Sequence, residues 1–136
     1  MNRKKREGLL YPNFDPDVAW EILKKYRDPL LSSGDVRYFR QVPVSVLAEA
    51  MEKSGMLEYA EQEAHNLAPS LFDILATSDI KYVDGFVVWN TDFRSDGRIS
   101  VDAVYVPMDS YLHFPEADEI DEVEIGGEVY RRYWFD

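Results

Sequence analysis

The chain has 136 residues, with 15 Lys or Arg and 26 Asp or Glu, and its formal net charge at pH 7 is −11. This length suits a single domain, and a content of 46% hydrophobic and 14% aromatic residues excludes a disordered chain or a collagen-like repeat. No apolar run approaches the roughly 18 residues of a membrane span, and no apolar signal core follows the charged first residues, so we expect a cytoplasmic protein.

The charge is divided unevenly along the chain. Residues 1–55 contain ten basic and eight acidic residues, a net of +2, whereas residues 56–136 contain five basic and eighteen acidic residues, a net of −13. The cluster Arg3-Lys4-Lys5-Arg6 opens the chain, and we predict a disordered basic arm over residues 1–8 ahead of one domain over residues 9–136. The acidic second part repels phosphate backbones and attracts basic partners.

Four helices are predicted before residue 79, over residues 15–28, 43–55, 56–67 and 69–77, from apolar residues at helical spacing. The first has a strong start, because Asp15 is able to cap the helix and Pro16 suits its first turn. Gly55 is a plausible end for the second. Between these two helices, residues 36–42 indicate a short extended segment.

After residue 79 the pattern predicts two β-hairpins. Residues 81–90 and 98–107 are rich in Val, Tyr, Phe and Trp, and Asp96-Gly97 indicates the turn between them. Gly126-Gly127 joins the alternating runs EVEI and EVYRRYW in the same way. Gly85 within the first strand indicates a bulge.

The order of these elements predicts the fold class. Helices followed by strands are typical of α+β folds, and no linker rich in Pro, Gly or Ser separates the two parts. We therefore expect about four N-terminal helices packed on a C-terminal antiparallel sheet of two hairpins.

A metal site is one hypothesis for the acidic residues between positions 116 and 124. The candidate ligands are His113, Glu116 and Asp118, because hard cations prefer carboxylate oxygens and an imidazole extends the set to transition metals. One histidine beside scattered carboxylates is also common on protein surfaces, so a solvated acidic loop is the simpler interpretation. We expect no cofactor.

Familiar catalytic motifs are missing from the sequence. There is no cysteine, no G-x-S-x-G or S-x-x-K motif and no glycine loop for phosphate, so no catalytic residue is assigned. A carboxylate-based, metal-assisted enzyme remains an alternative, with a site drawn from His113, Glu116, Asp118 and the hairpin acids Asp92 and Asp96.

Nucleic-acid binding is a second alternative, through the basic arm and a winged-helix arrangement of the second and third helices. The third helix would be the recognition helix, yet it carries Glu58, Glu61 and Glu63 and no Lys or Arg. Like charge opposes its docking in the major groove, so we expect no nucleic-acid partner.

Aromatic and arginine side chains crowd the C-terminus. The candidate interaction residues are Tyr130, Arg132, Tyr133, Trp134 and Phe135, a composition typical of hot spots in protein interfaces. The competing interpretation is that these rings close the core against the helices. We expect a small, soluble, acidic domain without enzymatic activity that binds another protein or self-associates, for example as a dimer.

Overall fold

The computed structural model describes residues 8–32 and 34–136, so the predicted basic arm lies outside the described residues except for Gly8. Three α-helices occur in those ranges: α1 (Pro16–Leu23), α2 (Val44–Ser54) and α3 (Leu71–Ala76). The five strands there are β1 (Val36–Pro43), β2 (Tyr82–Val88), β3 (Arg98–Pro107), β4 (Glu119–Ile125) and β5 (Glu128–Trp134). No helix in this part of the chain has the length and apolar character needed to cross a membrane.

The strands form one antiparallel sheet in the order β1-β2-β3-β5-β4. Both predicted strand pairs are present, as β2–β3 and β4–β5. Gly126 and Gly127 turn the second pair at φ of 60° and 85°, a backbone conformation that glycine adopts without a steric cost. The predicted extended segment is β1, which pairs with β2. A mixed fold of helices and an antiparallel sheet is thus confirmed. The predicted sheet of two hairpins had four strands, whereas the sheet also contains β1.

The predicted helices are matched in part. Helices α2 and α3 lie within the predicted ranges, whereas α1 ends at Leu23 and continues only as the 3₁₀ turn Lys24–Tyr26. The prediction of a third helix over residues 56–67 is wrong, because the only helical element there is the 3₁₀ turn Leu57–Tyr59. The described residues therefore contain three α-helices where about four were expected.

Tertiary contacts explain why the helix over 56–67 does not form. Glu63 is only 5% exposed, and its carboxylate accepts hydrogen bonds from Tyr11 Oη at 2.9 Å and from Ser100 Oγ at 2.8 Å. Leu57 and Leu67, expected on the apolar face of the helix, are 47% and 70% exposed. Local helix propensity is a weak preference that such contacts override. The winged-helix alternative loses its recognition helix as a result.

The hydrophobic core lies between the helices and one face of the sheet. Leu23, Met51 and Ile74 extend from the three helices to meet strand residues such as Val83 and Val87. Side chains alternate between the two faces of a strand. A second face therefore carries the intervening residues, which include Asp84, Phe86, Ala103 and Tyr105.

A bulge interrupts the pairing of β2 with β3, as Gly85 predicted. Asp84 pairs with Ala103 but Gly85 pairs with Val101, so Asp102 is the extra residue on β3. A Cβ atom at Gly85 would overlap the backbone carbonyl of Ser100, which explains why glycine occupies this position.

Candidate functional site

A cavity of about 440 Å³ opens on the second face of the sheet, where β1, β2, β3 and β5 lie side by side. Its volume is within the range of roughly 300–1,000 Å³ typical of ligand pockets. Carboxylates, aromatic rings and a histidine line it together, among them Tyr38, His65, Asp84, Phe86, Asp102 and Trp134. The cavity, referred to below as the sheet cavity, brings together ionisable groups from distant parts of the sequence.

Asp84 is the anchoring carboxylate of the sheet cavity. It is only 3% exposed, and it accepts hydrogen bonds from the Gln41 backbone nitrogen (2.8 Å), Tyr105 Oη (2.9 Å) and Arg132 Nε (2.8 Å). The Gln41 N–H is directed to Asp84 where β1 leaves its regular pairing with β2. Burial acts to lower the pKa of Arg132, but its hydrogen bond and charge interaction with Asp84 raise that pKa overall. Asp84 and Arg132 are therefore a buried ion pair.

Asp102 presents a second carboxylate to the sheet cavity, because the bulge adds it to the regular alternation of β3. It is half-buried, and no side chain in the described ranges donates a hydrogen bond to it. Burial raises the pKa of Asp102 above its ordinary value, and the charge of Asp84 adds to this, while His65 and Arg132 oppose it. The ionised form of Asp102 is therefore less stable in the folded chain than in water.

Replacing this carboxylate is expected to stabilise the fold: Asp102→Asn raises the free energy of unfolding at pH 7 by about 1 kcal/mol. The folded chain keeps the Asp102 proton to a higher pH than the unfolded chain, whose ordinary value is 3.8, so stability falls as pH rises through the folded pKa. The gain is therefore largest at neutral pH and shrinks as the pH approaches about 4.

Urea denaturation of both proteins at pH 4.5 and pH 7 measures this difference. Asp109→Asn is the matched control, because it removes the same charge from an exposed side chain outside the sheet cavity. A loss of stability in Asp102→Asn at pH 7 would contradict the unfavourable burial of the carboxylate.

Aromatic rings form much of the cavity wall. The ring centroids of Tyr38 and Phe86 are 5.3 Å apart, and the His65 ring meets Phe86 edge-on at 5.6 Å. The guanidinium of Arg98 lies 5.5 Å from the Phe86 centroid, so Phe86 is already covered. Trp134 differs, because it is only half-buried and has no ring, cation or hydrogen-bond partner for its indole within the described ranges. Its ring is available to a ligand.

The five predicted interaction residues differ in burial. Tyr133 and Phe135 are each 1% exposed and belong to the hydrophobic core, and Tyr130 is 8% exposed. Arg132 and Trp134 are half-buried, and both line the sheet cavity. Phe135 also contributes to the cavity wall from its buried position. The accessible part of the predicted interaction surface is therefore Arg132 and Trp134.

The predicted metal ligands lie between β3 and β4 and are all exposed. His113 Nδ1 is 3.1 Å from Tyr133 Oη, and the Asp118 carboxylate accepts a hydrogen bond from the Asp136 backbone nitrogen at 2.8 Å. Over residues 8–32 and 34–136, no three His, Asp or Glu side chains form a group suited to a metal ion. His113, Glu116 and Asp118 are thus not brought to one point.

The hairpin acids Asp92 and Asp96 lie outside the sheet cavity. Asp96 forms ion pairs at 2.7 Å with Arg94 and Arg98. The hydrogen bond from Arg94 is the main cause that lowers the pKa of Asp96 to about 2. Asp96 is therefore held in an ion-pair network at the hairpin turn.

Sequence reasoning did not identify Asp84, Asp102, His65 or Tyr38 as site residues. A signal was present in the strands, since Asp84 interrupts the run YVDGFVV and Asp102 interrupts RISVDAVYVP. Acidic residues are rarely buried unless they are paired, so a carboxylate in such a run indicates an ion pair or a site. The predicted bulge at Gly85 marked the same place.

The chain matches no family model, no curated protein and no solved structure. The chemistry of the sheet cavity is therefore the basis for a functional assignment.

Proposed function

We propose that the chain is a binding domain without catalytic activity that recognises another protein at the sheet cavity, with Trp134 as its main contact residue. The observation that carries the proposal is the half-buried Trp134 indole, unpartnered within the described ranges, in one cavity with the Asp102 carboxylate, to which no described side chain donates a hydrogen bond. Trp and Arg are enriched among the residues that dominate binding free energy in protein interfaces. Such residues lie in pockets from which water is excluded when the partner binds. Trp134 lines the sheet cavity, and Arg132 lines it while paired with Asp84.

The hydrogen bonding of Asp84 favours binding over catalysis. Carboxylate enzymes of the glycosidase type use two carboxyl groups, one as an acid and one as a base or nucleophile. Asp102 has the raised pKa of a general acid, but the oxygens of Asp84 already accept from Gln41, Tyr105 and Arg132. Asp84 is thus a structural acceptor whose oxygens are not free to attack a substrate.

The edge strand β4 favours a different protein over a second copy of this chain. Most of its side chains are exposed, and they include Glu119, Asp121, Glu122 and Glu124. Pairing two such edges would place like charges opposite each other, which is unfavourable. Glu119 also pairs directly with Trp134 across the sheet, so the acidic edge borders the proposed contact residue.

Selection of random hexapeptides on the immobilised full chain tests the proposal. We expect enriched peptides to bind in solution by calorimetry and to lose at least about 10-fold in affinity on Trp134→Ala, as hot-spot truncations do. Leu31→Ala removes an exposed lining side chain with no risk to the core, and it should also weaken binding. Tyr111→Ala is the control, because this ring is fully exposed and outside the cavity.

Three results would overturn this proposal. One is a selection with no enrichment over the bare support. Another is a set of peptides that bind the wild type, Trp134→Ala and Leu31→Ala equally. The third is a dimer, detected by light scattering and disrupted by Trp134→Ala, because the occupant would then be a second copy of the chain.

A further inference from the structure

The charges around the sheet cavity leave an excess of carboxylates. Among the described residues, four acidic side chains and two arginines line it, and each arginine pairs with one of these acids. Arg132 pairs with Asp84, and Arg40 Nε lies 3.2 Å from the carboxylate of Asp28. Within the described ranges, Asp102 and the terminal Asp136 have no arginine or lysine partner. The cavity therefore attracts a positively charged group.

Asp102 is the carboxylate placed to receive that group. It is half-buried, whereas Asp136 is exposed to water, so a cation beside Asp102 would be less screened by solvent. The bulge fixes its place next to Ala103, and Ala103 pairs across the sheet with Trp134. Asp102 and Trp134 both line the sheet cavity, so a group bound there is able to meet the carboxylate and the ring together.

We propose that the group bound in the sheet cavity is the guanidinium of an arginine in a basic segment of the partner protein, paired with Asp102 and stacked on Trp134. This inference rests on the proposed function, which it deepens by naming the chemistry of the partner. An arginine side chain meets both requirements, because its planar guanidinium hydrogen-bonds a carboxylate in a bidentate manner and stacks on an aromatic face. A lysine ammonium is more strongly hydrated and forms neither contact as well.

The surroundings of the cavity indicate the neighbours of that arginine. Leu31 lines the cavity while 54% exposed, and the adjacent Leu30 is 90% exposed, so an apolar residue next to the arginine has a surface to contact. On the β5 side, Glu119 and Asp121 of β4 face residues Trp134 and Arg132 of β5 in the strand pairing. These carboxylates suit further basic residues and steer a basic segment towards the site.

A set of matched peptides tests this inference on the full chain. The probes are acetyl-Gly-Leu-Xaa-Leu-Gly-amide peptides in which Xaa is arginine, lysine or citrulline, the last a neutral group of the same shape as arginine. We expect the arginine peptide to bind at least about 10-fold more tightly than the citrulline peptide, as charge-assisted hydrogen bonds allow. Asp102→Asn, a variant expected to be well folded, should abolish this ratio without weakening the citrulline peptide.

The control variant Asp109→Asn carries the same change in net charge and should leave the ratio intact. Equal binding of arginine and citrulline peptides, or an unchanged ratio in Asp102→Asn, overturns the inference. Free N-acetyl-arginine amide that binds as tightly as the peptide overturns the assignment to a protein partner. If the selected hexapeptides respond to Trp134→Ala but not to Asp102→Asn, the inference fails while the proposed function stands.

Discussion

Replacing Asp84 by alanine is expected to lower the free energy of unfolding by about 3–5 kcal/mol, the usual cost of removing one member of a buried ion pair. The substitution leaves the guanidinium of Arg132, which is half-buried, without its 2.8 Å partner. Tyr105 Oη and the Gln41 N–H lose their acceptor at the same time. Urea denaturation followed by circular dichroism measures the change.

Asp121→Ala is the matched control for that experiment. Asp121 also approaches Arg132, at 3.8 Å, but its side chain is 57% exposed. Exposed ion pairs contribute about 0–1 kcal/mol, so this variant should unfold close to the wild type. Similar losses from both variants would show that Asp84 has no special role in the cavity wall.

Gly85→Ala is expected to destabilise the protein by about 3 kcal/mol, at the upper end for overpacking a well-filled interior. The added Cβ meets the backbone carbonyl of Ser100, which is fully buried and belongs to a paired strand. The same displacement would change the bulge that directs Asp102 into the cavity. Thermal unfolding therefore gives the stability change, and binding of the arginine peptide reports the effect on the site.

Gly126→Ala is the control variant, because it measures the loss of stability from replacing a glycine where no steric overlap occurs. Gly126 has φ of 60° and no atom near the position of an added Cβ, so only the backbone conformation is unfavourable. We expect a loss of about 1 kcal/mol there. If Gly85→Ala costs no more than this control, then the bulge is able to relax and the assigned reason for glycine is wrong.

Local patterns were sufficient for much of the fold. Gly126-Gly127 and the alternating strands predicted the β4–β5 pair, and Gly85 predicted the bulge. The prediction of a helix over residues 56–67 was wrong, because the interactions that determine the conformation of this segment come from elsewhere in the chain. Glu63 is held by Tyr11 and Ser100, which are 52 and 37 residues away.

Most residues of the candidate site could not be predicted from the sequence, because they too are brought together by distant parts of the chain. Trp134 and Arg132 were predicted as interaction residues from the composition of the last strand, and both line the cavity. Their described neighbours come from three other strands and two loops, so the order of strands in the sheet must be known first. The order β1-β2-β3-β5-β4 brings Tyr38 and Asp84 onto one surface with Trp134.

Asp102, the bulge residue of β3, also affects how variants of this protein should be selected. A directed-evolution campaign that rewarded only survival on heating would enrich Asp102→Asn, because that change relieves an unfavourable ionised group. The selected variants would be more stable, but they would lack the Asp102 carboxylate that pairs with the arginine of the proposed partner. Any screening scheme for this scaffold should therefore reward retention of the ligand alongside heat tolerance.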